Sequence, residues 1–265
     1  MMTDALSVFR RPAPIATVTV RQFLGGKAAR IVGILALAPV LMAAIYLINT
    51  DVSTPREWII DSTFRDVMVG TIIPIVTLIL ATGALGNEIE DRTLPYLVLK
   101  PISRLRIVIE KFIGILVIAL PTVLLGIIAG WLIIRLGTDE SDVFVSRGNP
   151  TSIDPLLWPM LASAAAGIVA TAAVFLLISL VVPRALIVGI MYVFTWESLL
   201  GRFLPGVKAF SIRQYVSSIF VGLLDARDAT LDGRYTVFAS VLTLAIVSIV
   251  SIALATWRLS RMNLE

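Results

Sequence analysis

The sequence predicts an all-α integral membrane protein with six transmembrane helices, a short cytoplasmic helix between the second and third, and an outer re-entrant or interfacial helix before the last. Three observations predict it. The 265 residues are 58% hydrophobic and 15% charged, with a mean hydropathy of +0.95, whereas a soluble domain normally carries about 25% charged residues. The apolar residues gather into runs near the roughly 20 that a helix needs to cross about 30 Å of hydrocarbon. Within each run the apolar character is continuous and not alternating, which favours helices over barrel strands. Little chain remains between the runs, so 1–265 reads as one transmembrane domain.

The elements follow in order. Segment 1–30 carries Arg10 and Arg11, then two prolines, and no apolar core of signal-peptide length. Within it, 15–27 mixes Ile15, Val18 and Phe23 with Arg21, Gln22 and Lys27. That composition suits an interfacial helix or a partly ordered tail, and Gly25-Gly26 would supply a bend into the first span. The six spans are 31–48, 67–86, 112–134, 156–182, 185–204 and 236–257. Charges bracket the first three: Arg30 and Asp51, Asp66 and Glu88, Lys111 and Arg135. Pro39, Pro74 and Pro121 read as kinks inside spans. Gly126-x-x-x-Gly130 and the small residues of 162–173 favour close helix approach, within one subunit, at a homodimer seam or along a transport path.

Lys and Arg counts orient the chain. With both termini cytoplasmic, thirteen of the 22 basic residues fall on the cytoplasmic side and nine on the other, the latter among eleven acidic residues. Loops 51–66 and 138–155 are then outside. In the outer segment 205–235, Leu204-Pro205-Gly206 breaks the fifth helix. A short helix over 211–224 follows, with Ile212, Val216, Ile219, Phe220 and Leu223 at helical spacing. It is too short to span, so it dips into the outer leaflet or lies on it.

Several chemistries are excluded. With no Cys and no His, zinc sites, Ser-His-Asp triads and thiol nucleophiles cannot form. None of the four lysines (Lys27, Lys100, Lys111, Lys208) sits in a G-x-x-x-x-G-K-[ST] phosphate cradle. Nucleotide hydrolysis by that route must therefore come from a partner. The +4 net charge and pI near 9.7 reflect topology-setting residues beside spans, not nucleic-acid binding.

The most informative stretch is the loop between the second and third spans, 87–104. Acidic Glu88, Glu90 and Asp91 precede Arg92 and Thr93, which can cap a short helix with Pro95 in its first turn and Pro101 as its stop. Leu94, Leu97 and Val98 share one face of it, with Tyr96 between them and Lys100 and Arg104 on the far flank. Apolar area on a rigid helix in a water-facing loop suits docking into another protein's groove. Ser103 can cap the next membrane helix.

Acidic residues, Thr93-Leu94, a Leu-rich turn, Pro101-x-Ser103-Arg104, then Lys111 and Gly114 resemble the signature loop of type-2 ATP-binding-cassette (ABC) exporter permeases. Trp196-Glu197 near the end of the fifth span, then Leu204-Pro205 and a helix opened by Ser211, resemble that family's re-entrant segment. The resemblance covers essentially the whole chain. Many family members carry Gly before the Thr-Leu pair where this chain has Arg92. The resemblance implies that the loop is a coupling helix seated in an ATPase subunit. It implies two ATPase copies holding ATP and Mg, no cofactor in this chain, a second permease subunit forming a homodimer, and a multi-pass site in a bacterial or archaeal plasma membrane. It implies no catalytic role for the chain itself.

Glu197 stands about 12 residues into its span, roughly 18 Å from the cytoplasmic end. A membrane-buried carboxylate is costly and is a functional candidate, and a helix break beside it offers free N–H groups. Structural capping and a substrate or ion role are both compatible with it. Two other functional classes fit the membrane body: an anchor that recruits an ATPase for assembly or mechanical work, and a secondary transporter or channel half. The last needs paired membrane charges or midplane breaks, for which only Glu197 offers material.

Overall fold

The computed structural model of the protein describes residues 14–48, 54–86, 103–138, 153–182, 184–193, 211–224 and 235–262. Among the described residues every regular element is helical. In chain order they are α1 (Pro14–Gly25), α2 (Lys27–Ile48), α3 (Pro55–Gly86), α4 (Arg104–Gly137), α5 (Asp154–Val181), α6 (Ala185–Tyr192), α7 (Ile212–Leu223) and α8 (Val237–Arg261). Five of these, α2, α3, α4, α5 and α8, are long and apolar enough to cross a membrane. They match five of the six predicted spans. The other, 185–204, is helical over Ala185–Tyr192, and 194–204 lie outside the described residues.

Observed ends differ from predicted ones for identifiable reasons. α3 starts at Pro55 and not at 67, because a capping box initiates it upstream of the apolar run. The Thr54 hydroxyl accepts from the Glu57 N–H at 3.3 Å while the Glu57 carboxylate accepts from the Thr54 N–H at 3.4 Å. Trp58 Nε1 then donates to the Met42 carbonyl at 3.1 Å, tying this turn to α2. The helix widens into π form over Trp58–Ile72 and again over Thr82–Gly86, an uncommon length for a form seen mostly as single-turn bulges. It carries Asp61, Arg65 and Asp66 with it. The hydropathy pattern placed those charges at or beyond the boundary of the span.

α2 is broken at Leu37. Pro39 lacks the N–H that would pair with the Leu35 carbonyl, and the chain restarts as helix at Ala38. The break brings the Ala36 and Pro39 carbonyls against α4, where Gly126 and Gly130 have no Cβ. A Cβ on Gly126 would collide with the Ala36 carbonyl oxygen, and one on Gly130 would lie 2.7 Å from the Pro39 oxygen. The Gly-x-x-x-Gly pair thus seats a neighbouring helix of the same chain. In lipid, close packing of this kind replaces the hydrophobic drive that joins helices in water.

α5 occupies the middle, touching α3, α4, α6, α7 and α8. The small-residue stretch 162–173 also packs inward, with Gly167 facing Val216 of α7 and Ile73 of α3. Several hydroxyls within the helices return to their own backbone: Thr77 to Ile73 at 2.8 Å, Ser163 to Pro159 at 2.6 Å, Thr171 to Gly167 at 2.7 Å and Ser248 to Leu244 at 2.7 Å, whereas those of Thr63 and Ser240 are buried without a partner among the described residues. A polar group in apolar surroundings is unfavourable unless so paired. Before α6, Arg184 is held in the left-handed region at φ 56° and ψ 46°, a conformation unfavourable for a non-glycine residue by about 1–2 kcal/mol.

Candidate functional site

Most of the predicted docking loop, residues 87–102 with Glu88, Glu90, Asp91, Arg92, Thr93, Leu94, Tyr96, Leu97, Val98 and Lys100, lies outside the described residues. Its two stems are described. The first is the π-helical end of α3, Thr82–Gly86, and the second is the start of α4. Ser103 occupies the N-cap as predicted, its hydroxyl accepting from the Arg106 N–H at 3.4 Å. Arg104, placed among the docking residues, opens the first turn of α4, with one guanidinium nitrogen buried and without a hydrogen-bond partner among the described residues.

Two residues further along α4, Arg106 Nε donates to Glu110 Oε1 at 2.6 Å. The other oxygen of that carboxylate, Oε2, accepts the backbone N–H of Ile15 at 2.7 Å and of Ala16 at 3.4 Å. These are first-turn amides of α1, groups that a helix cannot satisfy internally, and a negative charge there is also favoured by the helix dipole. The Glu110 side chain is only 5% exposed, and three donors compensate the loss of water. Lys111 beside it is buried as well.

α1 is therefore a helix packed on α4. It buries Ile15, Ala16, Thr19 and Phe23 and exposes Val18, Arg21 and Leu24. Two glycines make room for it. A Cβ on Gly114 would lie 3.1 Å from the Thr19 Cβ, and one on Gly83 would lie 2.7 Å from the Phe23 ring. Gly83 belongs to the stem that enters the loop and Gly114 to the stem that leaves it. The bend between α1 and α2 falls at Gly26 as expected, with φ −95° and ψ 168°. A Cβ there would stand 3.0 Å from the Gln22 carbonyl oxygen, a tight contact that glycine avoids.

Of the second predicted group, Trp196, Glu197 and Pro205 lie outside the described residues. Ser211 is buried at the N-terminal flank of α7. The α7 helix covers 212–223 of the predicted 211–224 and packs against α3, α5 and α8. Arg213 crosses to α3 and pairs with Asp66 at 2.6 Å, lying over Gly70. Phe220 packs on Phe64 with ring centroids 4.8 Å apart.

Sequence reasoning missed Glu110 and the Asp66–Arg213 pair. Glu110 is not singled out by the hydropathy pattern, which marks Lys111 as the boundary charge. The available signal was Arg106 four residues earlier, the spacing of a helical ion pair. Asp66 and Arg213 are 147 positions apart, and no local pattern joins them.

The fold defines a multi-pass helical membrane protein whose ordered N-terminal helix packs beside both stems of one inter-span loop. A family model described as ABC-2 family transporter protein matches residues 23–195. The match covers more than half of the chain and includes the whole loop, and the chain belongs to this family. The family is a membrane component of transporters, not a catalytic subunit. No curated protein sequence matches the chain at a significant level.

Proposed function

We propose that the chain is the permease subunit of a type-2 ABC exporter, moving a substrate across the plasma membrane with ATP hydrolysed on a separate subunit. The observation that carries this is the family match over 23–195, which spans the docking loop and both its stems. Supporting it, the sequence contains no phosphate-binding loop of its own. In this reading the run 185–204 is the fifth of six spans and both termini are cytoplasmic. Two copies of the chain face one another, each seating an ATPase on the helix around Leu94, Leu97 and Val98.

ATP binding would draw the two ATPases together, and the loops would carry that motion to the spans. Trp196, Glu197, Pro205 and Ser211 would form the turn of the re-entrant segment on the outer side, with Arg213 fixing α7 to α3 through Asp66. The test is isolation of the tagged chain from its native membrane in mild detergent. An ABC ATPase should co-purify in equal copy number and hydrolyse ATP in the complex. A pure permease with no associated ATPase would overturn the reading and favour a self-sufficient transporter.

A further inference from the structure

We propose that Glu110 is a positioning residue that makes α1 a brace across the base of the docking loop, so that loop movement reaches α2 as well as α3 and α4. The proposal rests on the docking reading of the loop. Three contacts of α1 define the brace. Its first-turn amides end on the Glu110 carboxylate, 2.7 Å from the Ile15 nitrogen. Its middle rests Thr19 on Gly114 of the leaving stem, and its end lays Phe23 over Gly83 of the entering stem. Directly after Phe23 the Gly26 N–H returns to the Phe23 carbonyl at 3.0 Å and α2 begins at Lys27.

A helix of 12 residues held at its start, middle and end transmits displacement better than a tethered tail, because helices bend little over three turns. The carboxylate is the contact that gives direction. Thr19 and Phe23 fix how closely α1 lies, whereas Glu110, by accepting from the Ile15 and Ala16 amides, fixes where along α4 its N-terminus stops. Arg106, at 2.6 Å, holds the carboxylate from the solvent side. It is also the residue whose N–H caps onto Ser103 at the loop exit. A shift of the loop thus moves Ser103, Arg106 and Glu110 together, and α1 with them.

The native chain has no cysteine, so the contact can be locked and released chemically. Four forms of the permease–ATPase complex in lipid nanodiscs are compared: unmodified, Glu110→Gln, Thr19→Cys with Gly114→Cys, and all three substitutions together. Gln keeps the shape but loses the charge and one acceptor, so disulfide formation between positions 19 and 114 should slow about tenfold. The kcat for ATP should fall severalfold in Glu110→Gln, with KM for ATP and the amount of bound ATPase unchanged. Oxidising the 19–114 pair in the Glu110→Gln background should restore kcat, and reduction should remove it again.

A residue that merely stabilised the fold would give a loss indifferent to that disulfide, and such indifference overturns the proposal. So does an unchanged disulfide rate, or an unchanged kcat in Glu110→Gln. Should Glu110→Gln fail to accumulate, Gly114→Leu displaces Thr19 without touching the carboxylate. Loss of kcat with the ATPase retained then supports the brace, and unchanged kcat overturns it. Failure of the docking reading is distinguishable, since the unmodified complex would then contain no ATPase.

Discussion

Arg213 on α7 donates from its guanidinium to the Asp66 carboxylate on α3 at 2.6 Å, with the Arg213 side chain 17% exposed and the glycine at position 70 directly beneath it. The contact ties a 12-residue helix, too short to hold itself in place, to the π-helical part of a spanning helix. Phe64 against Phe220 and Val216 against Gly167 complete the seat. Polar and apolar contacts thereby fix both the height and the rotation of α7.

Breaking the pair should loosen α7 without unfolding the bundle. Arg213→Ala is expected to cost about 1.5–3 kcal/mol, the range for a charged hydrogen bond, read as a fall of several degrees in apparent Tm in detergent. Asp66→Asn should cost less, because the amide still accepts one bond and Asp66 is 52% exposed. Equal and negligible effects from both would show that the pair does not hold α7.

The seat between α2 and α4 gives a sharper steric contrast. Gly126→Ala and Gly130→Ala push a methyl into the backbone carbonyls of Ala36 and Pro39, which cannot swing away as a side chain can. Each should be destabilising by about 1–3 kcal/mol. Gly33→Ala, where nothing lies within 4 Å of the new Cβ, should be neutral or stabilising by up to about 1 kcal/mol from helix propensity. Thermal unfolding of the three variants side by side checks the contrast. A Gly33 variant as unstable as the other two would refute the assignment of the seat.

Much of this fold is legible in the sequence because lipid imposes a simple requirement, an apolar run long enough to cross. Five long helices therefore fall on predicted runs, and Ser103 and Gly26 act where their chemistry suggests. The rest is set by distance and not by local pattern. The Thr54–Glu57 capping box extends α3 through three charges that hydropathy alone reads as an end. Gly126 and Gly130 announce a close approach but do not name α2 as the partner. For α1, local composition leaves helix and tail equally open, and the carboxylate that accepts its first-turn amides lies 95 positions away.

Topology is checked by labelling, again helped by the absence of native cysteine. A Cys in place of Ser141 should react with an impermeant maleimide in intact cells, and a tag after Asp228 should report from the outside. Reaction at 141 only in opened cells would reverse the orientation. A cytoplasmic tag at 228 would make the segment around α7 a span in its own right and move the C-terminus to the other side.

In the proposed function, a loop helix around Leu97 would seat an ATPase. Acidic Glu88, Glu90 and Asp91 on one flank and basic Lys100 and Arg104 on the other would set the register of the partner, since charges contribute more to specificity than to affinity. Leu94, Leu97 and Val98 would supply the buried area, at about 25 cal/mol per Å² removed from water. Leu97→Asp places a charge in that groove, which costs several kcal/mol (~2–7) if the groove is dry. The decisive measurement is co-purification of the ATPase with this variant, alongside ATP turnover of the isolated complex. Normal membrane insertion, loss of most of the bound ATPase and loss of coupled turnover are expected. Retention of bound ATPase and turnover at wild-type levels would contradict the proposed seat and reduce the loop to a topological turn.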